Sequence, residues 1–370
     1  MVEIELKFQI SEARRTALLK ALDPKKSETI QLQAKYFDTP DRLLAQDGAA
    51  LRQRLEGACW IQTLKAAGKS HLHRFEHNHN LGELESSPEL DLSIYQAIPE
   101  AQQILTQALG SDAAALKLTF ETDIQRTYRV IQFEDAEIEV CLDVGVVRAS
   151  GREQTIHEVE FELKSGSVQS LLAFSFEWVK KYQLWLDVRS KAEMGNLLAL
   201  EQTVSPARFE KEFVLSKKES AAHNLSLLIG QQMQHLLPNI AAISAGVAEQ
   251  SHIDQAQTAL EHLQLTLALF KDWNSNISDK WAMQLAAFKH QFDHLQHLQH
   301  MQSTLGAFLQ NPTTTENLAK DILYAQEKLG NLVKSTQNVH HYLELLTFSL
   351  ISHDQVQKQD LKTYAHNTLQ

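Results

Sequence analysis

Near the start of the chain, the segment "EIELKF" sets Glu3, Glu5 and Lys7 at alternate positions, with Ile4, Leu6 and Phe8 between them. Successive residues of an extended strand point to opposite sides, so the three charges share one face and the three apolar side chains share the other. The same division recurs along the first half of the chain. Arg52 and Arg54 share a face, as do Thr63 and Lys65, Arg74 and Glu76, then Glu137, Glu139 and Asp143, then Glu158, Glu160, Glu162 and Lys164. Opposite them stand Leu51 and Leu55, then Ile138, Val140 and Leu142, then Val159, Phe161 and Leu163. Carboxylates gathered from neighbouring strands suit hard divalent cations such as Mg²⁺ and Mn²⁺, which take oxygen ligands. Arginines match phosphate oxygens bidentately, and lysines add point charge. A surface carrying both describes a site for a chelated polyphosphate, and its reaction would be attack of a metal-activated water on one phosphorus. No GxxxxGK[ST] loop occurs, which excludes a P-loop mechanism, and the first half holds no Cys/His metal cluster.

The elements that must position these residues are short strands of period two: 3–8, 50–56, 59–66, 73–78, 123–133, 136–147 and 156–164. Gly57, Gly145, "ASGRE" (149–153) and "DTPD" (38–41) mark bends between them. Three helices are expected: 11–22 with Ser11 as N-cap, 99–109 with a proline in its first turn, and the amphipathic 167–182. Alternation alone is compatible with a sandwich whose charges face water, and with a barrel whose charges face inward. Two features favour the barrel. The charged faces are concentrated Glu and Arg rather than mixed polar residues, and the three helices need an apolar surface to cover. Arg126 and Arg129 lie three apart and so point to opposite faces of a strand; Arg126 is the one expected inside.

At 370 residues the chain is long enough for two domains, and its composition is that of a globular protein, with 43% hydrophobic and 22% charged residues. No apolar run is long enough to span a bilayer, and the acids at the N-terminus leave no signal-peptide pattern. Two cysteines, Cys59 and Cys141, form no disulfide framework, so a cytoplasmic location is expected. The formal net charge of −11 argues against nucleic-acid binding. All 12 arginines lie at or before Arg208, whereas 12 of the 17 histidines lie after it. This shift places a boundary near 205–215, giving expected domains of 1–205 and 212–370.

The second half reads as successive amphipathic helices, the pattern of a bundle. One ends at Pro238, one spans 251–273, a third contains "DKWAMQLAAFKHQFDHLQHLQHM", and the last stretch breaks near Gly330 or at 335–338. His290, His294, His297 and His300 fall on one helical stripe. Such spacing can ligate a transition metal, although a solvated histidine-rich face is the simpler expectation.

These motifs resemble the CYTH superfamily of triphosphate tunnel metalloenzymes. "EIELKF" is similar to its N-terminal ExExK signature, and "YFDTPDRLLAQDGAALRQRLE", "TLK", "HRFEH", "ETDIQR", "IEVCLDVG", "HEVEFELKSG" and "RSKAEMG" follow in the family's order over residues 1–200. The resemblance implies an α+β architecture, an eight-stranded antiparallel β-barrel (tunnel) with covering helices, followed by an all-α helical bundle. It implies that Glu3, Glu5, Glu158 and Glu160 ligate Mg²⁺ or Mn²⁺, with Glu162 on the same face past the metals. It implies that Lys7, Arg52, Arg54, Lys65, Arg74, Arg126 and Lys191 bind the phosphates, and that Glu76 and Asp143 orient those bases or metal-bound waters. Lys7, Glu5 and Glu160 are the residues expected to be catalytic. Glu193 stands where the family often carries another base.

The helical half resembles a CHAD domain by order and architecture. Gln257, Glu261, His262 and Gln264 occupy the region where such domains carry arginines. Polyphosphate binding there is therefore not expected at neutral pH, and a structural or partner-binding role is. The activity implied is hydrolysis of inorganic triphosphate to pyrophosphate and phosphate, with no nucleic acid or membrane partner and a homodimer left open. Thiamine triphosphatase, class IV adenylyl cyclase and a non-catalytic polyphosphate or nucleotide sensor are the competing readings.

Overall fold

The structure is a computed structural model and describes residues 2–350, apart from 69–71, 111, 213–214, 216, 272–274, 306–307 and 309–310. The chain divides into two compact units, Met1–Ser205 and Pro206–Gln370.

The first unit is a closed antiparallel barrel. Its strands are β1 (Val2–Gln9), β2 (Glu28–Asp38), β3 (Ala49–Glu56), β4 (Cys59–Ala67), β5 (His73–Glu83), β6 (Lys117–Phe133), β7 (Ala136–Ala149) and β8 (Arg152–Ser165). They follow the order β5-β4-β3-β2-β6-β7-β8-β1, and pairing of β1 with β5 closes the ring. A two-residue strand, β9 (Trp185–Leu186), pairs with the end of β1. Closure removes the free edges that an open sheet would expose.

Helices cover the apolar outer faces. Leu6, Phe8, Val159 and Phe161 are buried on the outside of β1 and β8. Phe161 packs against Phe8 (ring centroids 5.1 Å apart), Phe174 (5.2 Å) and Trp178 (5.6 Å), the last two from α4 (Val168–Tyr182). Burying each such side chain contributes about 1.5–3 kcal/mol. α1 (Glu12–Leu22) buries Leu18 and Leu22; Ser11 occupies its N-cap position, but its hydroxyl makes no capping bond. On the other side, α2 (Leu43–Gln46) and α3 (Pro99–Leu109) join Leu51, Leu64 and Phe75 in a second core with Leu44, Tyr95, Ala101 and Leu109. The "DTPD" bend is built by Asp38. Its carboxylate accepts from the backbone N–H of Thr39 (2.7 Å), Leu44 (3.0 Å) and Ala45 (3.1 Å), which caps α2.

One stretch of the lumen is apolar. β2 reverses the pattern of its neighbours: Tyr36 lies opposite Arg52 and Ala34 opposite Arg54, so Leu32, Ala34 and Tyr36 face inward while Gln31 and Gln33 are exposed. They pack with Phe120, Ile124, Val147, Ile156 and Met194, the last from α5 (Lys191–Ala199). The hydroxyl of Ser190 accepts from the N–H of Glu193 (3.0 Å) and caps this helix.

The second unit is helical: α6 (Ala221–Ser244), α7 (Gln250–Leu269), α8 (Ser275–Leu305), α9 (Pro312–Val333) and α10 (Thr336–Leu350). The expected stop at Pro238 is wrong: α6 runs through it to Ser244. Proline lacks one N–H and ordinarily breaks a helix. Here the neighbouring Asn239 side chain donates to the carbonyls of His235 (2.8 Å) and Arg208 (2.9 Å), anchoring the turn. The expected helix over 251–273 ends at Leu269; its last two positions lie outside the described residues. The break in the last stretch falls between Val333 and Thr336. No helix among the described residues is long and apolar enough to cross a membrane.

Candidate active site in the barrel lumen

The registers decide which charges meet. Arg126 on β6 lies opposite Asp143 on β7, and Asp143 lies opposite Glu158 on β8. Lys7 on β1 lies opposite Glu160. Asp143, Glu158 and Glu160 form a triad whose oxygens lie within 4.8 Å of one another. Three cations compensate it. Arg126 donates to Asp143 through Nε (2.7 Å) and Nη2 (2.6 Å), and to Glu160 (2.5 Å). Lys191 Nζ contacts all three acids: Asp143 (2.8 Å), Glu160 (2.8 Å) and Glu158. Lys7 Nζ stands 3.7 Å from Glu158.

Burial opposes charge on every member of the triad, yet the outcomes differ. Arg126 and Lys191 outweigh burial at Asp143 and lower its pKa. At Glu160, Lys191 and Arg126 hold the carboxyl well below the usual range. At Glu158 burial wins over Lys191 and Lys7, and its pKa is raised.

A second wall is cationic. Arg52 and Arg54 project from β3 and Lys65 from β4, all largely buried. Burial, then repulsion from Arg52 and Arg126, pushes Arg54 down to about 10 despite its partner Glu56. Arg52 Nη1 donates to the Tyr36 hydroxyl (3.4 Å). Although burial opposes ionisation of that phenol, Arg52, Lys191 and Arg54 lower its pKa. Three guanidiniums forced together in a low-dielectric lumen are a site for an anion of high charge.

The acids of β1 sit apart from the triad. Glu3 is 2.7 Å from Lys65, and Glu5 is 3.5 Å from Arg74. Glu76 is 3.1 Å from Lys65 and 3.9 Å from Arg52. Burial, opposed by Lys65, raises the Glu3 pKa to about 8, while Lys65, a hydrogen bond with Glu3 and Arg52 overcome burial at Glu76 and lower its pKa to about 2. Glu162 pairs with Lys164 at 2.8 Å rather than with the triad. Arg129 points away from the lumen and donates to the Leu22 carbonyl (3.4 Å). Glu193 accepts from the Ser205 hydroxyl (2.6 Å).

The model of the CYTH domain matches residues 1–195, more than half of the sequence. This chain belongs to the CYTH family. A curated relative, the inorganic triphosphatase of Haemophilus influenzae, is 33% identical over 227 residues, covering 60% of this chain and 62% of the relative. The match therefore spans about three fifths of that protein's length. A candidate adenylyl cyclase from Hippeastrum with a dominant triphosphatase activity is 18% identical, covers 55% of this chain and 97% of its own, and superposes with a TM-score of 0.39. A candidate adenylate cyclase from Bacillus halodurans is 23% identical, covers 49% and 89%, and gives a TM-score of 0.36.

The donor set of this CYTH lumen fits a hard divalent cation. Its triad offers carboxylate oxygens only, and one of them, Glu158 Oε2, is buried with no hydrogen-bond partner. The family resemblance gives Asp143 only a supporting role; its place in the triad follows from the pairing of β6 with β7 and of β7 with β8. The structure thus brings Glu158 and Glu160 together with Asp143, and leaves Glu3 and Glu5 in separate ion pairs. In the helical unit, His290, His294, His297 and His300 are all exposed on α8, and among the described residues they form no three-ligand cluster.

Proposed function

We propose that the barrel hydrolyses inorganic triphosphate to pyrophosphate and phosphate with Mg²⁺ or Mn²⁺. The single observation that carries this reading is the division of a buried lumen into an acid triad and a facing cationic wall. Asp143, Glu158 and Glu160 would hold the cation, with Glu3 and Glu5 of β1 as further oxygen donors. A divalent cation bound there supplies Lewis acidity to the phosphate oxygens. Arg52, Arg54, Lys65, Arg74 and Arg126 bind and orient the triphosphate, and their fixed charges stabilise the charge that develops on the equatorial and leaving oxygens. Lys7, beside Glu158, adds charge at the attacked phosphate. The name of the Haemophilus relative supports the choice of substrate.

The test is a phosphate-release panel of the full chain across triphosphate, ATP, thiamine triphosphate and long-chain polyphosphate, with each metal. Triphosphate turnover that depends on the metal and is lost in Glu160→Gln and Lys65→Ala is expected. Turnover of ATP to cyclic AMP at a comparable rate would overturn the assignment, as would triphosphate binding without release of phosphate.

A further inference from the structure

The placement of Lys191 has a consequence beyond phosphate binding. An ammonium carries three N–H donors, and Lys191 Nζ is within contact distance of three carboxylates: Asp143, Glu158 and Glu160. Asp143 and Glu158 are fully buried, and Lys191 itself is only 13% exposed. Arg126 reaches Asp143 and Glu160 but makes no bond to Glu158, whose second oxygen accepts no hydrogen bond and has only Lys7 Nζ nearby, at 3.7 Å. Removing carboxylates from water without a cation costs several kcal/mol per group, on the order of the stability of the whole domain. Among the cations around the triad, Lys191 is the one whose charge contacts all three carboxylates, and so occupies the point the oxygen donors would leave for a divalent ion.

The rest of α5 is fixed. Ser190 caps its N-terminus. Met194 lies in the apolar lumen core, with Ala192 packed against it. At Gly195 even a Cβ would fall 2.1 Å from the Phe120 ring, so helix and strand are in closest approach. The backbone of α5 has no room to shift inward, whereas the four-carbon stem of Lys191 can swing independently of it.

We propose that Lys191 is a tethered counter-cation: its ammonium holds the acid triad together in the metal-free protein, and a divalent cation gains the triad only by displacing it. This rests on the reading of the triad as the cation site. The displaced ammonium becomes available to a phosphate group, so cation binding and completion of the anion site are one event. Lys191 is here a positioning residue for the acids.

Direct Mn²⁺ titration of the metal-stripped full chain tests this, with no turnover measured. Lys191→Gln is expected to bind Mn²⁺ about tenfold tighter than the wild type or more, equivalent to about 1.4 kcal/mol of lost competition. In metal-free buffer it should melt lower, and saturating Mn²⁺ should narrow the gap. Lys191→Arg, which keeps the charge, should bind Mn²⁺ close to the wild-type affinity. Equal or weaker Mn²⁺ binding by folded Lys191→Gln would overturn the proposal while leaving the cation site standing. Absence of Mn²⁺ binding in every variant and in the wild type would remove the cation site and the proposal together. If Lys191→Gln is unfolded without metal, Mn²⁺ must restore its fold, and failure to do so counts against the proposal.

Discussion

Arg126→Met isolates how much of the barrel's stability depends on compensating its buried acids. Arg126 grips Asp143 through two bonds of 2.7 and 2.6 Å and Glu160 through one of 2.5 Å. Asp143 is 0% exposed, so its charge depends on protein partners. Methionine keeps most of the volume and none of the charge. Removing one partner of a buried ion pair costs about 3–5 kcal/mol, because the other is left uncompensated. Here Lys191 remains as partial compensation, which favours the lower end of that range. Such a loss is a large share of the 5–15 kcal/mol of stability typical of a domain. A cation bound at 100 times its Kd returns about 2.7 kcal/mol, so Mn²⁺ should recover most of the deficit. Because the chain has two units, a single melting curve would mix them. Hydrogen exchange of peptides from β6, β7 and β8 reads the barrel by itself. Protection in those strands should fall in metal-free buffer and rise with Mn²⁺. Unchanged protection in metal-free Arg126→Met would refute the claim that the triad needs this guanidinium.

Three further perturbations probe other parts of the molecule. Gly195→Ala places a Cβ 2.1 Å from a Phe120 ring held by stacking on Tyr36 (4.4 Å), so it should lower barrel stability by about 1–3 kcal/mol; wild-type hydrogen-exchange protection of the barrel strands would refute the close approach. Phe161→Ala empties the outer core under α4 and should cost about 3–5 kcal/mol, yet phosphate release should survive at temperatures where the barrel stays folded. Loss of activity in the folded variant would mean that the outer face shapes the lumen more than its packing indicates. In the helical unit, Glu344 is buried against Lys280 (2.9 Å) and the Trp281 indole N–H (3.2 Å); burial opposes its charge, but His341 and Lys280 lower its pKa. A lowered carboxylate pKa contributes stability above its unfolded value of about 4.3 and loses it as pH falls through the folded pKa. Glu344→Gln should therefore be less stable than the wild type at pH 7 by about 1.5–3 kcal/mol, with the gap in melting temperature closing in the acid range. A gap that stays constant from pH 7 to pH 3 would contradict the assignment of charge.

What was legible in the sequence follows from what one strand can say about itself. Alternation within "EIELKF" or "HEVEFELK" separates two faces, and the recurrence of Glu and Arg on one of them indicates an inward charged wall. β2 escaped that test because its polarity is inverted: Leu32, Ala34 and Tyr36 enter the lumen and the glutamines face water. α5 escaped it too, since Met194 packs inside the barrel, where the pattern left room only for charge. The membership of the triad was not legible at all in single strands. Glu3, Glu5, Glu158 and Glu160 have the same local pattern, and only the pairing of β6 with β7 and β7 with β8 sets Asp143 beside Glu158. Pro238 misled for the opposite reason: a local rule was sound, but a side chain one residue on secured the turn.

The ion pairs of the lumen also bear on how such a site can exist without its ligands. Lys65 meets Glu3 and Glu76, Arg74 meets Glu5, Arg126 meets Asp143 and Glu160, and Lys191 meets the whole triad. Acids suited to a cation and bases suited to an anion would each be prohibitively costly to bury alone. Placed on facing walls, they compensate one another, and the barrel folds with its charges inside. The chelated triphosphate proposed as substrate carries the same two signs in one particle, so its binding would exchange internal pairs for external ones rather than create charge contacts where none existed. Affinity then depends on the small difference between two well-compensated states, and single lumen substitutions should shift metal affinity and fold stability in opposite directions wherever the deleted base competes with the metal. Lys191 is such a base. Lys65 pairs with Glu3 and Glu76 and with no member of the triad, so Lys65→Ala should weaken triphosphate binding and tighten Mn²⁺ binding less than Lys191→Gln does. Mn²⁺ binding tightened as much in Lys65→Ala as in Lys191→Gln would show that the two walls are electrostatically one site.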